Sequence, residues 1–215
     1  MVKQIPDFPP MRVLLTNTRV PKNTGELVAG VARRLKKYPA IVEPILNSID
    51  AISNTCLDVL RASVGASKAA ATASRDDVVG EGGSSGAGGA GAGASSTGAS
   101  GDAVLERMGE LICMNQHLLN ALGVGHAALD TVVRVSEKNG FPVKLTGAGG
   151  GGCALTLLHG TGEGDDAQAD LERRVAALSE ELATHGYQCF ETKVGGAGML
   201  LHDIRSETVR EKVGL

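Results

Sequence analysis

The chain has 215 residues, of which 42% are hydrophobic and 2% aromatic, and its formal net charge at pH 7 is −3. This composition indicates a globular protein with an aliphatic core. Because Lys and Arg do not outnumber Asp and Glu, the charge argues against a nucleic-acid binder. Because the sequence contains neither an apolar run as long as a membrane span nor a signal-peptide pattern, we expect a cytoplasmic protein that makes no membrane contact.

The first predicted elements are one strand and two helices. Arg12–Thr16 predicts a short strand. A helix follows, with Asn23 or Thr24 as its N-cap. Pro39 begins a second helix, whose apolar residues recur at intervals of three and four. These residues are Ile41, Ile45, Ile49, Ile52, Cys56 and Val59.

Residues 80–101 form a low-complexity segment. Of these 22 residues, 10 are glycine, 5 alanine and 5 serine. Such a segment offers too little apolar surface to offset the entropy of ordering the chain, so it predicts a flexible insertion.

The remaining elements alternate between helices and strands. Asp102 caps a helix that Gly123 and Gly125 interrupt, and the next helix ends at Asn139-Gly140. The segments that follow are strands Phe141–Leu145 and Gly152–Leu158, a helix opened by Asp165 or Asp166, strand Tyr187–Val194, and a candidate strand at Gly198–His202. This order predicts an α+β fold, an antiparallel sheet covered by helices with a ferredoxin-like layout and a helical insertion.

The cysteines and histidines show no metal-ligand spacing. Cys56, Cys113, Cys153 and Cys189 each lie in an apolar pattern, which predicts buried thiols in a reducing compartment. His117 and His126 are expected as a polar helix residue and a helix-start residue. We therefore expect no metal site built by this chain alone.

The two strands of the predicted hairpin are joined by Lys144-Leu-Thr-Gly-Ala-Gly-Gly-Gly-Gly-Cys153. Successive glycines lack a Cβ, so this backbone can adopt positive φ and its N–H groups can converge on an anion. The alternative is a tight corner where two backbones approach closely. A strand, not a helix, follows the glycines, which excludes the Rossmann arrangement.

Four stretches in this order resemble the C-terminal half of the mevalonate kinase family, within the galactokinase, homoserine kinase, mevalonate kinase and phosphomevalonate kinase superfamily. They are Arg12–Thr24, Asn47–Ser53, Asn115–His126 and Lys144–Cys153. The resemblance implies transfer of the ATP γ-phosphoryl group to the 5-hydroxyl of mevalonate, with Mg²⁺, in isoprenoid and sterol synthesis.

The resemblance also implies site residues. The nucleotide-proximal positions would be Gly147, Ala148, Gly149, Gly150 and Gly151. Lys144 would be either a phosphate partner or a solvated charge at a strand edge. Thr24 would lie on the substrate side, or serve only as a helix N-cap, or both.

No stretch matches the family's phosphate loop, its Mg²⁺-binding glutamate or its catalytic aspartate, which belong to the N-terminal domain. We therefore expect no catalytic residue in this chain, an inactive isolated chain, and ATP and Mg²⁺ held mainly by the absent domain. The alternatives are a stand-alone binding module of the same fold and part of a sister kinase such as phosphomevalonate kinase. A homodimer is compatible with the family.

The expected domain organisation is a tail at residues 1–10, a kinase C-terminal domain at 11–205 that contains the 80–101 insertion, and a tail at 206–215.

Overall fold

The computed structural model describes residues 8, 10–76, 101–160, 162 and 164–195. The predicted strand at Gly198–His202 and the low-complexity segment, apart from Gly101, lie outside the described residues.

The described elements follow the predicted order. They are β1 (Met11–Asn17), α1 (Thr24–Lys37), α2 (Pro39–Asp76), α3 (Gly101–Ala121), α4 (Ala127–Lys138), β2 (Val143–Leu145), β3 (Cys153–Leu158), α5 (Asp165–Thr184) and β4 (Gln188–Val194). Strand β2 begins two residues later than predicted. Pro142 has no N–H for the ladder, although its carbonyl oxygen accepts a hydrogen bond from Leu157 N at 2.9 Å.

The four strands form one antiparallel sheet in the order β2-β3-β1-β4. In its register Val13 faces Leu157, Leu15 faces Phe190 and Lys144 faces Leu155. The first strand lies inside the sheet because the β2–β3 hairpin pairs on one side of it and β4 pairs on the other. This confirms the predicted α+β fold with its antiparallel sheet and ferredoxin-like layout.

One face of the sheet packs against α4 and α5. The core on this face contains Leu14, Leu129, Val132, Val143, Leu145, Leu158, Leu178 and Leu182. Two hydroxyl groups are also buried here, and they satisfy each other, since Ser136 Oγ and Thr156 Oγ1 lie 3.2 Å apart.

The opposite face packs against α2 and α3. Its core contains Val13, Val59, Leu60, Val104, Met108 and Leu157. The predicted apolar stripe of α2 is therefore confirmed at Ile52 and Val59, which are both buried. It is wrong at Ile41, which is 63% exposed, whereas its neighbour Val42 is 5% exposed.

The cysteines differ from the prediction. All four are free thiols of intermediate exposure rather than buried ones. Partial burial still raises the pKa of the Cys56, Cys113 and Cys189 thiols, because desolvation disfavours the thiolate.

Within the described ranges, no helix combines the length and apolar character that a membrane crossing requires.

Candidate functional site

The glycine loop, Thr146–Gly152, connects β2 to β3 at one end of the sheet. Its base is closed by Thr146, whose backbone N and Oγ1 donate to Cys153 O at 3.0 and 2.8 Å. On the other side Thr18 Oγ1 donates to Gly152 O at 2.8 Å. The segment that follows β1 therefore lies directly against the loop.

Packing explains three of the loop's glycines. Gly149 has a φ of +79°, and a Cβ there would lie 2.0 Å from Val124 O. At Gly150, with a φ of +68°, a Cβ would lie 2.6 Å from Leu27 Cδ1. At Gly151 it would lie 2.9 Å from Val20 O. The tight-corner interpretation thus has a physical basis, because the loop is clamped between α1 and the turn after α3.

The loop's amides divide into two sets. Gly150 N donates to Val124 O at 2.8 Å, and Gly152 N donates to Val20 O at 3.1 Å. The amides of Gly147, Ala148, Gly149 and Gly151 donate no hydrogen bond within the described part of the chain. The loop therefore offers main-chain donors, but the glycines do not present an unbroken row of them.

Two hollows of different character border the loop. An apolar groove of about 370 Å³ lies between Val28 and Val31 of α1, Leu119 of α3, and Ala148. A more polar hollow of about 390 Å³ adjoins Gly150. Its wall contains Lys22, Asn23, Glu26, Arg33, Arg34 and His126. Of the predicted nucleotide-proximal positions, Gly147, Ala148 and Gly150 thus border open space, whereas Gly149 and Gly151 line neither hollow.

Lys22 is a site residue that the sequence analysis missed. A Cβ at Gly152 would lie 3.0 Å from Lys22 Nζ, and one at Gly147 would lie 3.4 Å from it. Its ammonium group therefore lies over both ends of the glycine loop. The available signal was its place in the Arg12–Thr24 stretch, immediately before α1.

Lys144 points elsewhere. Its Nζ donates to the neighbouring Leu145 O at 2.9 Å, and burial lowers its pKa because desolvation disfavours the charged form. This geometry is not that of a solvated edge charge, because the ammonium group is partly buried and bonded to the chain's own backbone. The phosphate-partner role stays a prediction, since Leu145 O takes one of the three N–H donors of the ammonium group.

At the start of α1 the cap is Asn23, whose Oδ1 accepts a hydrogen bond from Glu26 N at 3.2 Å. Thr24 is the first helical residue and is exposed. Of the two predicted caps, Thr24 is wrong and Asn23 is confirmed.

The two histidines occupy the predicted positions. His117 is exposed on α3, and His126 is the N-cap of α4, with Nδ1 accepting a hydrogen bond from Ala128 N at 3.1 Å. No group of three or more His, Cys, Asp or Glu residues in the described ranges could hold a metal ion.

Comparison with known proteins identifies the family. Residues 99–187 match the family model described as GHMP kinases C terminal. The mevalonate kinase of Homo sapiens is 42% identical over 199 residues, which are 92% of this chain and 40% of that protein. Residues 99–187 carry the GHMP kinase C-terminal domain. The mevalonate kinase of Mus musculus is 39% identical over the whole chain, which corresponds to 44% of that relative.

Solved structures show the same fold for this GHMP kinase C-terminal domain. A crystal structure of L. major mevalonate kinase in complex with R-mevalonate matches with a TM-score of 0.56 and 16% identity. The match covers 89% of this chain and 44% of that one. The chain therefore spans less than half the length of the relatives that it matches.

Proposed function

We propose that this chain is the C-terminal part of a mevalonate kinase that transfers the γ-phosphoryl group of ATP to the 5-hydroxyl of mevalonate. The observation that carries the proposal is about 40% identity to proteins named mevalonate kinase over at least 92% of the chain. The region from residue 11 to 205 would form one domain, which contributes one wall of a site completed by the rest of the protein.

The hollow beside Gly150 fits a polyphosphate better than the apolar groove does. Lys22, Arg33 and Arg34 in its wall bring positive charge, against one carboxylate from Glu26. The amide of Gly150 is bonded to Val124 O, so the free loop amides that border open space are those of Gly147 and Ala148, which line the apolar groove. Main-chain amides of a glycine loop are suited to phosphate oxygens because glycine has no side chain to block their approach. We infer that the loop and Lys22 orient the phosphates of ATP and stabilise charge on the transferred group.

The wall of the polar hollow is a poor Mg²⁺ site, because Lys22, Arg33 and Arg34 outnumber its one carboxylate and repel a cation. A Mg²⁺ ion in a kinase is bound by one or two carboxylates together with substrate phosphates. The wall of the polar hollow holds Glu26 as its one acidic residue. We therefore assign Mg²⁺ and the catalytic groups to the part of the protein outside this chain. A homodimer and a cytoplasmic location stay predictions.

The proposal is tested by assaying ADP release with ATP and mevalonate. The isolated chain is expected to be inactive, whereas the same chain joined to the amino-terminal part of human mevalonate kinase is expected to turn over. In the joined protein Lys22→Met should lower kcat/KM for ATP about tenfold or more, since a hydrogen bond to a charged group contributes about 1.5–3 kcal/mol.

The matched control is Lys36→Met, near the other end of α1 and outside the polar hollow. Turnover by the isolated chain, or a folded joined protein without activity, would contradict the proposal. Phosphomevalonate offered in place of mevalonate tests the sister-kinase alternative.

A further inference from the structure

The glycine loop begins directly after an edge strand, and the last residue of that strand is held by side chains. Strand β2 lies at the edge of the sheet. Leu145 N donates to Gln116 Oε1 at 2.8 Å, and Leu145 O accepts from Lys144 Nζ at 2.9 Å. A buried amide requires such a partner where no neighbouring strand provides one.

Gln116 itself is locked in place. It is 1% exposed, and its Nε2 donates to Asn120 Oδ1 at 3.1 Å, one turn later on α3. Asn120 Oδ1 also lies against Gly125, where a Cβ would be only 2.6 Å away. Asn120 Nδ2 reaches Asp130 Oδ1 on α4 at 3.5 Å. Gln116 therefore connects the end of β2 to the turn between α3 and α4.

The same turn holds the middle of the loop. It contains Val124, whose carbonyl oxygen accepts the hydrogen bond from Gly150 N and lies where a side chain of Gly149 would be. One short stretch, Gln116–His126, thus determines where the loop starts and where its centre lies. The physical role of this stretch is therefore to hold the glycine loop at Leu145 and at Gly150.

We propose that Gln116 is a positioning residue, which fixes the glycine loop through Leu145 N and through Asn120. Its effect on phosphoryl transfer rests on the proposed function, because Gln116 acts on the loop rather than on ATP. The side chain of Gln116 is buried, so it cannot itself contact ATP. Its contribution is to keep the free amides of Gly147–Gly149 in one arrangement.

The direct test is amide hydrogen exchange on the full 215-residue chain. Gln116→Met keeps the length of the side chain and removes its hydrogen-bonding groups. We expect exchange at the hydrogen-bonded amides of Leu145, Thr146, Gly150 and Gly152 to become at least about tenfold faster, while β1 and α5 keep their rates. The reason is that loss of one buried hydrogen bond opens the structure locally. Unchanged exchange in the loop, or equal acceleration everywhere, would overturn the proposal.

Three further variants make the test specific. Gln116→Glu keeps an oxygen acceptor for Leu145 N and is expected to restore slow exchange at that amide. His117→Ala, an exposed neighbour on α3, is the matched control and should leave the loop unchanged. If Gln116→Met does not fold, the exposed Asn120→Ala is the substitute variant. It keeps the bond from Leu145 N to Gln116 and removes the Asn120 bonds to Gln116 and Asp130, so it should still loosen the loop. An unchanged loop in this variant would refute the positioning role through Asn120.

Kinetics separate this inference from the proposed function. In the protein joined to the amino-terminal part of human mevalonate kinase, Gln116→Met should raise KM for ATP severalfold more than it lowers kcat. Faster loop exchange with an unchanged KM would leave Gln116 as the positioning residue of the loop and refute the nucleotide role of the loop. Slow loop exchange in Gln116→Met refutes the inference alone.

Discussion

At the scale of single residues, Gly149 carries the heaviest steric constraint in the loop. Its φ of +79° disfavours any side chain, and Val124 O occupies the Cβ position. Gly186, after α5, has a nearly equal φ of +77°, and nothing lies within 4 Å of its Cβ position. These two glycines share a backbone conformation and differ in their surroundings.

We predict that Gly186→Ala lowers the free energy of unfolding by about 1–2 kcal/mol, the cost of a left-handed alanine. Gly149→Ala should cost about 1–3 kcal/mol more, because overpacking adds to the strain. Urea denaturation followed by circular dichroism measures both variants. Equal losses in the two variants would show that Val124 O moves away without cost.

The sequence predicted that the glycine run lies between two strands, but not what the run packs against. Leu27 and Val124 are distant from the loop in sequence, and no periodicity connects them to it. The contact made by Lys144 could not be predicted from periodicity either, and its place in the motif suggested a phosphate ligand instead. Its ammonium group bonds to Leu145 O, a contact that depends on the edge position of β2.

At the scale of secondary-structure elements, Arg12 connects three of them. Its guanidinium group on β1 contacts Glu172 of α5 at 2.8 Å and Glu191 of β4 at 2.7 Å. Hydrogen bonds from Arg12 hold the pKa of Glu172 below its ordinary value. This ion pair therefore stabilises the fold above the pKa of an unfolded glutamate, and the stabilisation disappears as the pH falls through the depressed folded pKa.

We predict that Arg12→Met makes stability less sensitive to pH below about 4.3, the ordinary glutamate pKa, because Glu172 then has no guanidinium partner to lose on protonation. Thermal melting across this acidic range is the measurement. Arg61→Met is the control, since the ion pair that Arg61 forms within the described ranges is an exposed one on a single helix turn, with Asp58 at 3.9 Å. A wild-type pH profile in Arg12→Met would contradict the prediction.

The types and order of the elements were predictable because each has strong local signals. Helix α4 ends at Lys138, with Asn139 as its C-cap before Gly140, and α5 begins at Asp165, as caps and charges indicated. Burial was less predictable. Helix α1 shows a clear apolar spacing, yet in the described structure none of its residues is buried and Val28 is 60% exposed. Periodicity identifies an apolar face but not whether another element covers it.

At the scale of the whole molecule, the sheet separates two cores. Adjacent residues of β3 point into different cores, with Leu157 facing α2 and α3 and Leu158 facing α4 and α5. Alternation along a strand produces this arrangement, and because helices cover both faces, Leu157 and Leu158 are both buried. The sequence predicted helices over the sheet, whereas their division between two faces depends on long-range packing.

We predict that Leu157→Ala and Leu158→Ala each lower the free energy of unfolding by about 2–5 kcal/mol, as expected for a leucine removed from a packed core. The exposed Thr192→Ala on β4 should stay within about 0.5 kcal/mol of the original chain. The chain has no tryptophan, so urea titration followed by far-ultraviolet circular dichroism is the suitable measurement. A negligible cost for Leu157→Ala would show that the α2–α3 layer is loosely attached.

Helix α1 and the glycine loop also constrain each other's motion. Leu27 lies where a side chain of Gly150 would be, and Arg34 Nη1 donates to Leu122 O at 3.0 Å, just before the turn that grips the loop. A displacement of α1 is therefore expected to shift the glycine loop as well. A small tilt of this partly exposed helix would change the positions of the loop's main-chain N–H groups, even when no ligand contacts the helix.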